Sequence, residues 1–291
     1  MVKFIVALMA LVLFPGLVSG QDRYANFDGV KIRYIEQGAG EPVVLLHGGT
    51  STLEFWSRTG VLADLSKDFR VIAFDARGAG KSDKPRDSKA YGRELAMDVV
   101  RLLDLLRIER AHILGYSAGA NTAALLMTLH PERLLTATMG GSGGRRAGND
   151  SFLEVEAGEI ERECVSSSRI RRLAPPDFKL SDAEFRKRVD QCKSNEQFDQ
   201  HAAAAMLRSL PAMAVTPAQL RSARVPTLGL VGSLDENLAR LKDLQAMFPE
   251  MKLIVIANAT HEGQRTAARR PEFVAAFREF TAANKQAAIR Q

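Results

Sequence analysis

Short apolar runs separated by amphipathic helical stretches predict an α/β protein, a mostly parallel sheet flanked by helices with one helical insertion. Three observations carry this prediction. The apolar runs are continuous rather than alternating, which marks strands buried on both faces. Helical stretches separate successive runs, as parallel connections require. Residues 142–222 then break the rhythm with a charged segment that holds no strand-like run.

The elements follow in order. Residues 1–20 carry a basic start (MVK), an apolar run of 15 residues and a small-residue exit, the pattern of a secretory signal peptide cut after Gly20. The run is interrupted by Pro15 and is shorter than the ~20 residues of a spanning helix, so export without a stable membrane anchor is expected, to a periplasmic or extracellular destination. VKIRYIEQG (30–38) alternates like a strand, whereas EPVVLLHGG (41–49), RVIAFDARG (70–78) and RAHILGYS (110–117) have buried-strand cores. Residues 92–108 place Leu95, Val99, Leu102, Leu103 and Leu106 on one helical face. ANTAALLMTL is helical up to Pro131, and LLTATMGG (134–141) is another strand. After the insertion come strands at 225–233 and 251–259 and a closing helix at 271–284. The expected organisation is a core of residues 21–141 and 223–291 bearing a helical cap, 142–222.

The formal net charge of +6 raises the question of a polyanion partner. The densest basic groups, Arg169, Arg171, Arg172 and Arg186, Lys187, Arg188, lie among nearly as many acids and read as solvated helix faces, which excludes a nucleic-acid role. DARGAGKSD contains Gly-Lys-Ser, but a phosphate-binding loop needs glycine where Asp75 stands. No nucleotide, metal or organic cofactor is implied.

GYSAG (115–119) places Ser117 after a β-run and before a helix, the setting of a nucleophile elbow. A serine hydroxyl needs a base to take its proton. Of five histidines, His47, His112, His130 and His201 each have a structural account, whereas His261 lies in ANATHEGQ, in a turn after the last strand. The base needs a carboxylate to hold its tautomer. Asp235 follows the strand in GSLDE; of its competitors, Glu236 is adjacent and Asp243 is already inside the next helix.

The chain resembles the α/β-hydrolase superfamily, specifically its members with a helical cap. The resemblance rests on HGG (47–49), DARGAGKS (75–82), GYSAG (115–119), PTLGLVGSLD (226–235) and the turn at His261. The order Ser117, Asp235, His261 is the one this architecture uses. The resemblance implies an oxyanion hole from the backbone N–H groups of Gly49 and Ala118. Ser117 excludes the members with aspartate at the elbow, and Thr50-Ser51 replaces the Pro-Gly usual after His-Gly-Gly in proline iminopeptidases and, in similar form, in carbon–carbon hydrolases.

The reading is therefore a serine hydrolase, a carboxylic ester hydrolase acting on a small-molecule acyl substrate, with an acyl pocket between sheet edge and cap walled by Trp56 and cap helices. The alternatives are other triad chemistry (lactone, amide or carbon–carbon hydrolysis, perhydrolysis) and a slow-turnover ligand-binding protein. Cys164 and Cys192, both in the cap and both expected in an oxidising compartment, are predicted to form a disulfide.

Overall fold

Eight strands form one sheet: β1 (Arg23–Phe27), β2 (Val30–Gln37), β3 (Glu41–Leu46), β4 (Phe69–Phe74), β5 (Ala111–Tyr116), β6 (Leu134–Gly140), β7 (Thr227–Gly232) and β8 (Lys252–Ile256). The structure is a computed structural model and describes residues 20–173 and 179–289; the expected signal peptide, Gly20 apart, lies outside the described residues. The spatial order is β1-β2-β4-β3-β5-β6-β7-β8. β1 and β2 are antiparallel additions at one edge, and β4 through β8 pair in parallel.

Eleven α-helices are described. In the core these are α1 (Glu54–Arg58), α2 (Val61–Leu65), α3 (Arg93–Leu105) and α4 (Ala118–Leu129). The cap holds α5 (Phe152–Glu163), α6 (Ser167–Leu173), α7 (Asp182–Lys193), α8 (Gln200–Ser209) and α9 (Pro217–Ser222), with no strand among its described residues. The chain returns to the core with α10 (Leu238–Met247) and α11 (Pro271–Ile289).

Successive strand residues point to opposite faces, so continuous apolar runs feed two cores. Val44, Leu46, Ile72 and Ile113 pack with Leu95, Val99 and Leu126 of α3 and α4. Val43, Leu45, Val71 and Leu114 face the other way, onto Leu65 of α2 and Phe273 and Phe277 of α11. Burying such side chains contributes roughly 1.5–3 kcal/mol each, which explains why these strands tolerate no polar alternation. Trp56 belongs to this second core. It is fully buried, set edge-on to Phe55 at 5.0 Å, and does not line the cavity described below, contrary to expectation. The reason is that α1 is short, and its apolar side turns inward against the sheet.

Strand β1 has no counterpart in the sequence reading. Only Ala25 and Phe27 of RYANF turn inward, so its apolar signal is weak. The Asp28-Gly29 loop supplies it instead: both residues have positive φ (52° and 86°), as a two-residue hairpin turn requires.

The connections leave β3 towards β4 on one side and β5 towards β6 on the other. Ligands of open α/β sheets bind at such a switch point, outside the carboxyl ends of the strands. Those two ends carry His47-Gly48-Gly49 and Ser117.

In the cap, α5 packs on α8 through Leu153, Ala157, Ala204 and Leu207. Glu156 is buried beneath them and accepts two hydrogen bonds from Arg172, at 2.6 and 3.0 Å. Helix α7 has no buried residue. It is joined covalently to the end of α5 by a Cys164–Cys192 disulfide, with Cα atoms 6.0 Å apart, as the sequence predicts.

Candidate active site

Ser117 sits where β5 turns into α4, with φ 55° and ψ −113°. This is left-handed territory that a non-glycine residue enters only at a cost. The flanking glycines make the turn possible: a Cβ at Gly115 would overlap the Gly119 carbonyl, and one at Gly119 would overlap the Leu46 carbonyl of β3. The Ser117 amide donates to the Gly140 carbonyl at 2.7 Å, which ties the elbow to β6.

The structure brings Ser117, His261 and Asp235 together. His261 Nε2 lies 2.9 Å from Ser117 Oγ, and His261 Nδ1 lies 2.9 Å from Asp235 Oδ2. A carboxylate only accepts, so Asp235 places the ring proton on Nδ1 and leaves Nε2 to accept from the serine hydroxyl. The other Asp235 oxygen accepts from the Asn237 amide at 2.8 Å, and both Asp235 and His261 are buried. Burial pushes the His261 pKa down, but the hydrogen bond and charge of Asp235, helped by Glu236 and Glu262, outweigh it and hold the imidazole above its ordinary value. Glu236 is exposed, and Asp243 lies within α10. Ligand atoms of Asp235, Glu236 and His261 lie within 4.8 Å of one another. Both ring nitrogens already serve Asp235 and Ser117, so a cation here would have to displace those hydrogen bonds.

Two residues escaped the sequence reading. The Tyr116 hydroxyl donates to the His261 carbonyl at 2.7 Å, and the Thr266 hydroxyl donates to the same oxygen at 2.9 Å. The tyrosine and histidine rings lie 5.5 Å apart. The residue before the serine thus anchors the loop that carries the histidine. A tyrosine at a strand end gives no local hint of this, because the partner is 145 positions away.

Gly48 and Gly49 form the facing wall. A Cβ on Gly48 would lie 3.3 Å from Ser117 Cβ, and one on Gly49 would lie 3.6 Å from Ala118 Cβ. Neither the Gly49 nor the Ala118 amide donates to a protein acceptor among the described residues, so both remain available. His47 shapes this loop. Its Nδ1–H donates to the Gly48 carbonyl at 2.8 Å, and its Nε2 accepts from the Ala76 amide at 3.1 Å. Burial pushes the His47 pKa down, so the ring stays neutral. Asp75 braces the next turn: its buried carboxylate accepts from the amides of Leu53 (2.8 Å) and Lys81 (2.9 Å) and from Arg33 (3.1 Å). The glycine-rich DARGAGKSD segment therefore folds over an aspartate rather than around a phosphate. The remaining histidines are structural or peripheral: His112 is buried against Thr136, His130 meets Glu132, and His201 is exposed on α8.

Beside Gly49 and Ala118 opens a cavity of about 120 Å³ between core and cap. The core contributes Phe74 and Leu95; the cap contributes Phe198, Met206, Leu210 and Met213. A serine hydroxyl hydrogen-bonded to a histidine, a pair of unengaged amides and a largely apolar cavity beside them suit acyl transfer.

Comparison with known proteins agrees with this architecture. The family described as "alpha/beta hydrolase fold" matches residues 41–161. The chain is 36% identical over 118 residues to 2-hydroxymuconate semialdehyde hydrolase of Pseudomonas sp. strain CF600, covering 40% of this chain and 41% of that protein. It is 27% identical over 227 residues to 2-hydroxy-6-oxo-6-(2'-aminophenyl)hexa-2,4-dienoic acid hydrolase of Metapseudomonas resinovorans, covering 74% and 75% of the two chains. Thus the match spans about two fifths of the first relative's length and three quarters of the second's. Among solved structures, a carboxylesterase study of Nitrososphaera gargenis gives a TM-score of 0.72 at 20% identity, covering 91% of this chain and 99% of that one. The matched segment and the structural neighbours together show that the chain has the α/β-hydrolase fold.

Proposed function

We propose that this protein is a serine hydrolase that cleaves carboxylic esters through an acyl-enzyme. The observation that carries the reading is the continuous hydrogen-bond line from Ser117 through His261 to Asp235, with 2.9 Å at each step. Ser117 Oγ attacks the acyl carbonyl carbon as His261 Nε2 takes its proton. The oxygen that becomes negative is met by the Gly49 and Ala118 amides, with the N-terminus of α4 adding its dipole. Collapse of the tetrahedral intermediate expels the alkoxide, which takes the proton from His261. Water, activated by the same ring, then releases the acid and restores the serine.

A second reading, hydrolysis of hydroxy-oxo-dienoic acids, is favoured by the names of the two curated relatives. A fluorophosphonate probe followed by peptide mass spectrometry tests the shared part: labelling should fall on Ser117 and vanish in Ser117→Ala. Turnover of ester, lactone, amide and dienoic acid substrates in parallel tests the bond. Ester turnover with an unlabelled Ser117 would overturn the mechanism. We also propose that the chain is exported, in keeping with its first twenty residues and with the cap disulfide.

A further inference from the structure

The cavity beside Gly49 and Ala118 is built almost entirely from apolar side chains and neutral polar groups. Among the described residues, one formally charged side chain lines it, Arg77. That guanidinium is already spent. Its Nε and Nη2 donate to the two oxygens of buried Asp98, at 2.7 and 2.6 Å, and its Nη1 donates to the Ala90 carbonyl at 2.6 Å. His47, also in the lining, uses both ring nitrogens, one for the Gly48 carbonyl and one for the Ala76 amide. No cation among the described lining residues is free to meet an incoming anion. The rest of the wall joins hydrocarbon and thioether, from Phe74, Leu95, Phe198, Met206, Leu210 and Met213, to uncharged hydroxyls and carboxamides such as Thr50, Ser51, Asn121 and Gln197.

A carboxylate moved from water into such a space loses its hydration and gains no cationic partner, only neutral donors. Diverting Arg77 to it would abandon Asp98, a carboxylate just as buried. We propose that this cavity selects an uncharged, apolar acyl group and rejects acyl groups that end in a carboxylate, so that the substrate class is the ester of a neutral acyl group rather than the dicarboxylate monoester. The inference rests on the acyl-transfer reading above, because that reading puts the acyl group next to the Gly49 and Ala118 amides.

Two acyl chains of equal length test it, p-nitrophenyl hexanoate against the mono-p-nitrophenyl ester of adipic acid. The expected kcat/KM ratio is roughly 100-fold or more in favour of the hexanoate, as for a buried charge left unpaired. Capping the adipate carboxylate as its methyl ester should recover most of the loss. A ratio within about threefold, with the capped ester no better than the acid, would overturn the proposal. Met206→Lys puts an ammonium in the wall and should narrow the ratio by roughly tenfold, as one new ion pair can. An unchanged ratio in a folded Met206→Lys protein would mean that the acyl chain lies elsewhere. Binding of the matching methyl ketones to Ser117→Ala reads the cavity without chemistry. Preference for the neutral ketone with no ester turnover would sink the hydrolase reading and leave the cavity's selectivity standing. Equal binding of neutral and charged ketones would overturn the selectivity whatever the turnover.

Discussion

Tyr116 holds His261 by its backbone: the phenol donates to the histidine carbonyl at 2.7 Å while the next residue, Ser117, meets the same histidine's ring at 2.9 Å. Strand β5 therefore sets both ends of the contact between proposed nucleophile and proposed base. Tyr116→Phe keeps the ring stacking and removes only the hydroxyl. The loss of one buried hydrogen bond should cost about 1 kcal/mol of stability. A small displacement of the histidine should lower kcat by roughly tenfold, since catalytic geometry is steep in distance. Denaturant titration and steady-state kinetics on the same preparation check both. A full-rate variant would show that Thr266, which shares the carbonyl, holds the loop alone.

Asp235 accepts the ring proton of His261 and its charge raises that ring's pKa. Asp235→Asn should lower kcat by roughly 10⁴, by analogy with a serine protease triad. The pH profile carries a second, independent sign. In the proposed mechanism the rate requires neutral His261, so it should fall as pH drops through the histidine pKa. In the unmodified protein that limb should lie above the ordinary histidine value, near 6.5. With the aspartate charge gone, it should move to lower pH. A limb that stays in place would assign the titration to another group.

Ser117 pays for its position with a positive φ. Ser117→Gly removes the proposed nucleophile and the strain together. Activity should vanish, while the thermal midpoint rises by a few degrees, because relief of such a conformation is worth about 1 kcal/mol. Ser117→Ala, which keeps the strain, should be equally inactive and should melt below the glycine variant. Differential scanning calorimetry of the pair separates the two contributions. Equal midpoints would mean the elbow is not strained.

The Cys164–Cys192 bridge joins α5, which packs on α8, to α7, which has no buried residue and runs into Asn195, Gln197 and Phe198 of the cavity wall. Closing this loop of 28 residues is worth about 3–4 kcal/mol on the chain-entropy estimate. A double Cys→Ser variant should therefore loosen the cap, raising KM several-fold with a smaller change in kcat. Hydrogen exchange localised to α7 would register the same loss. A kcat that falls with KM unchanged would place the bridge's influence on the elbow instead.

Much of this fold was legible because burial on both faces forces continuous apolar runs, and β3, β4, β5 and β7 carry them plainly. The elbow was legible for a related reason, since Gly115 and Gly119 stand where a side chain would strike backbone. What stayed hidden depends on partners distant in sequence. Asp98 lies on the apolar side of α3, where it pairs with Arg77 twenty-one positions earlier. Trp56 reads equally well as a cavity wall or as core, and only packing against Phe55 and the sheet decides. The cap's charged composition announced helices but not the network that orders them, in which Arg208 alone serves both Glu154 and Glu161.

The Gly49 and Ala118 amides stand just beyond two neighbouring strands, β3 and β5, whose register pairs Leu46 with Gly115. Their separation is thus inherited from the strand spacing of the sheet, about 4.8 Å, in the part of the molecule buried deepest. The cavity wall, by contrast, is shared with a cap in which α7 buries no residue and is tied to α5 by one disulfide. Heating should consequently strip away discrimination before it strips away chemistry: just below the melting transition, the preference between long and short esters flattens while acetate esters are still cleaved. Substrate preference followed against temperature would then serve as a thermometer for the cap, and total turnover as one for the sheet.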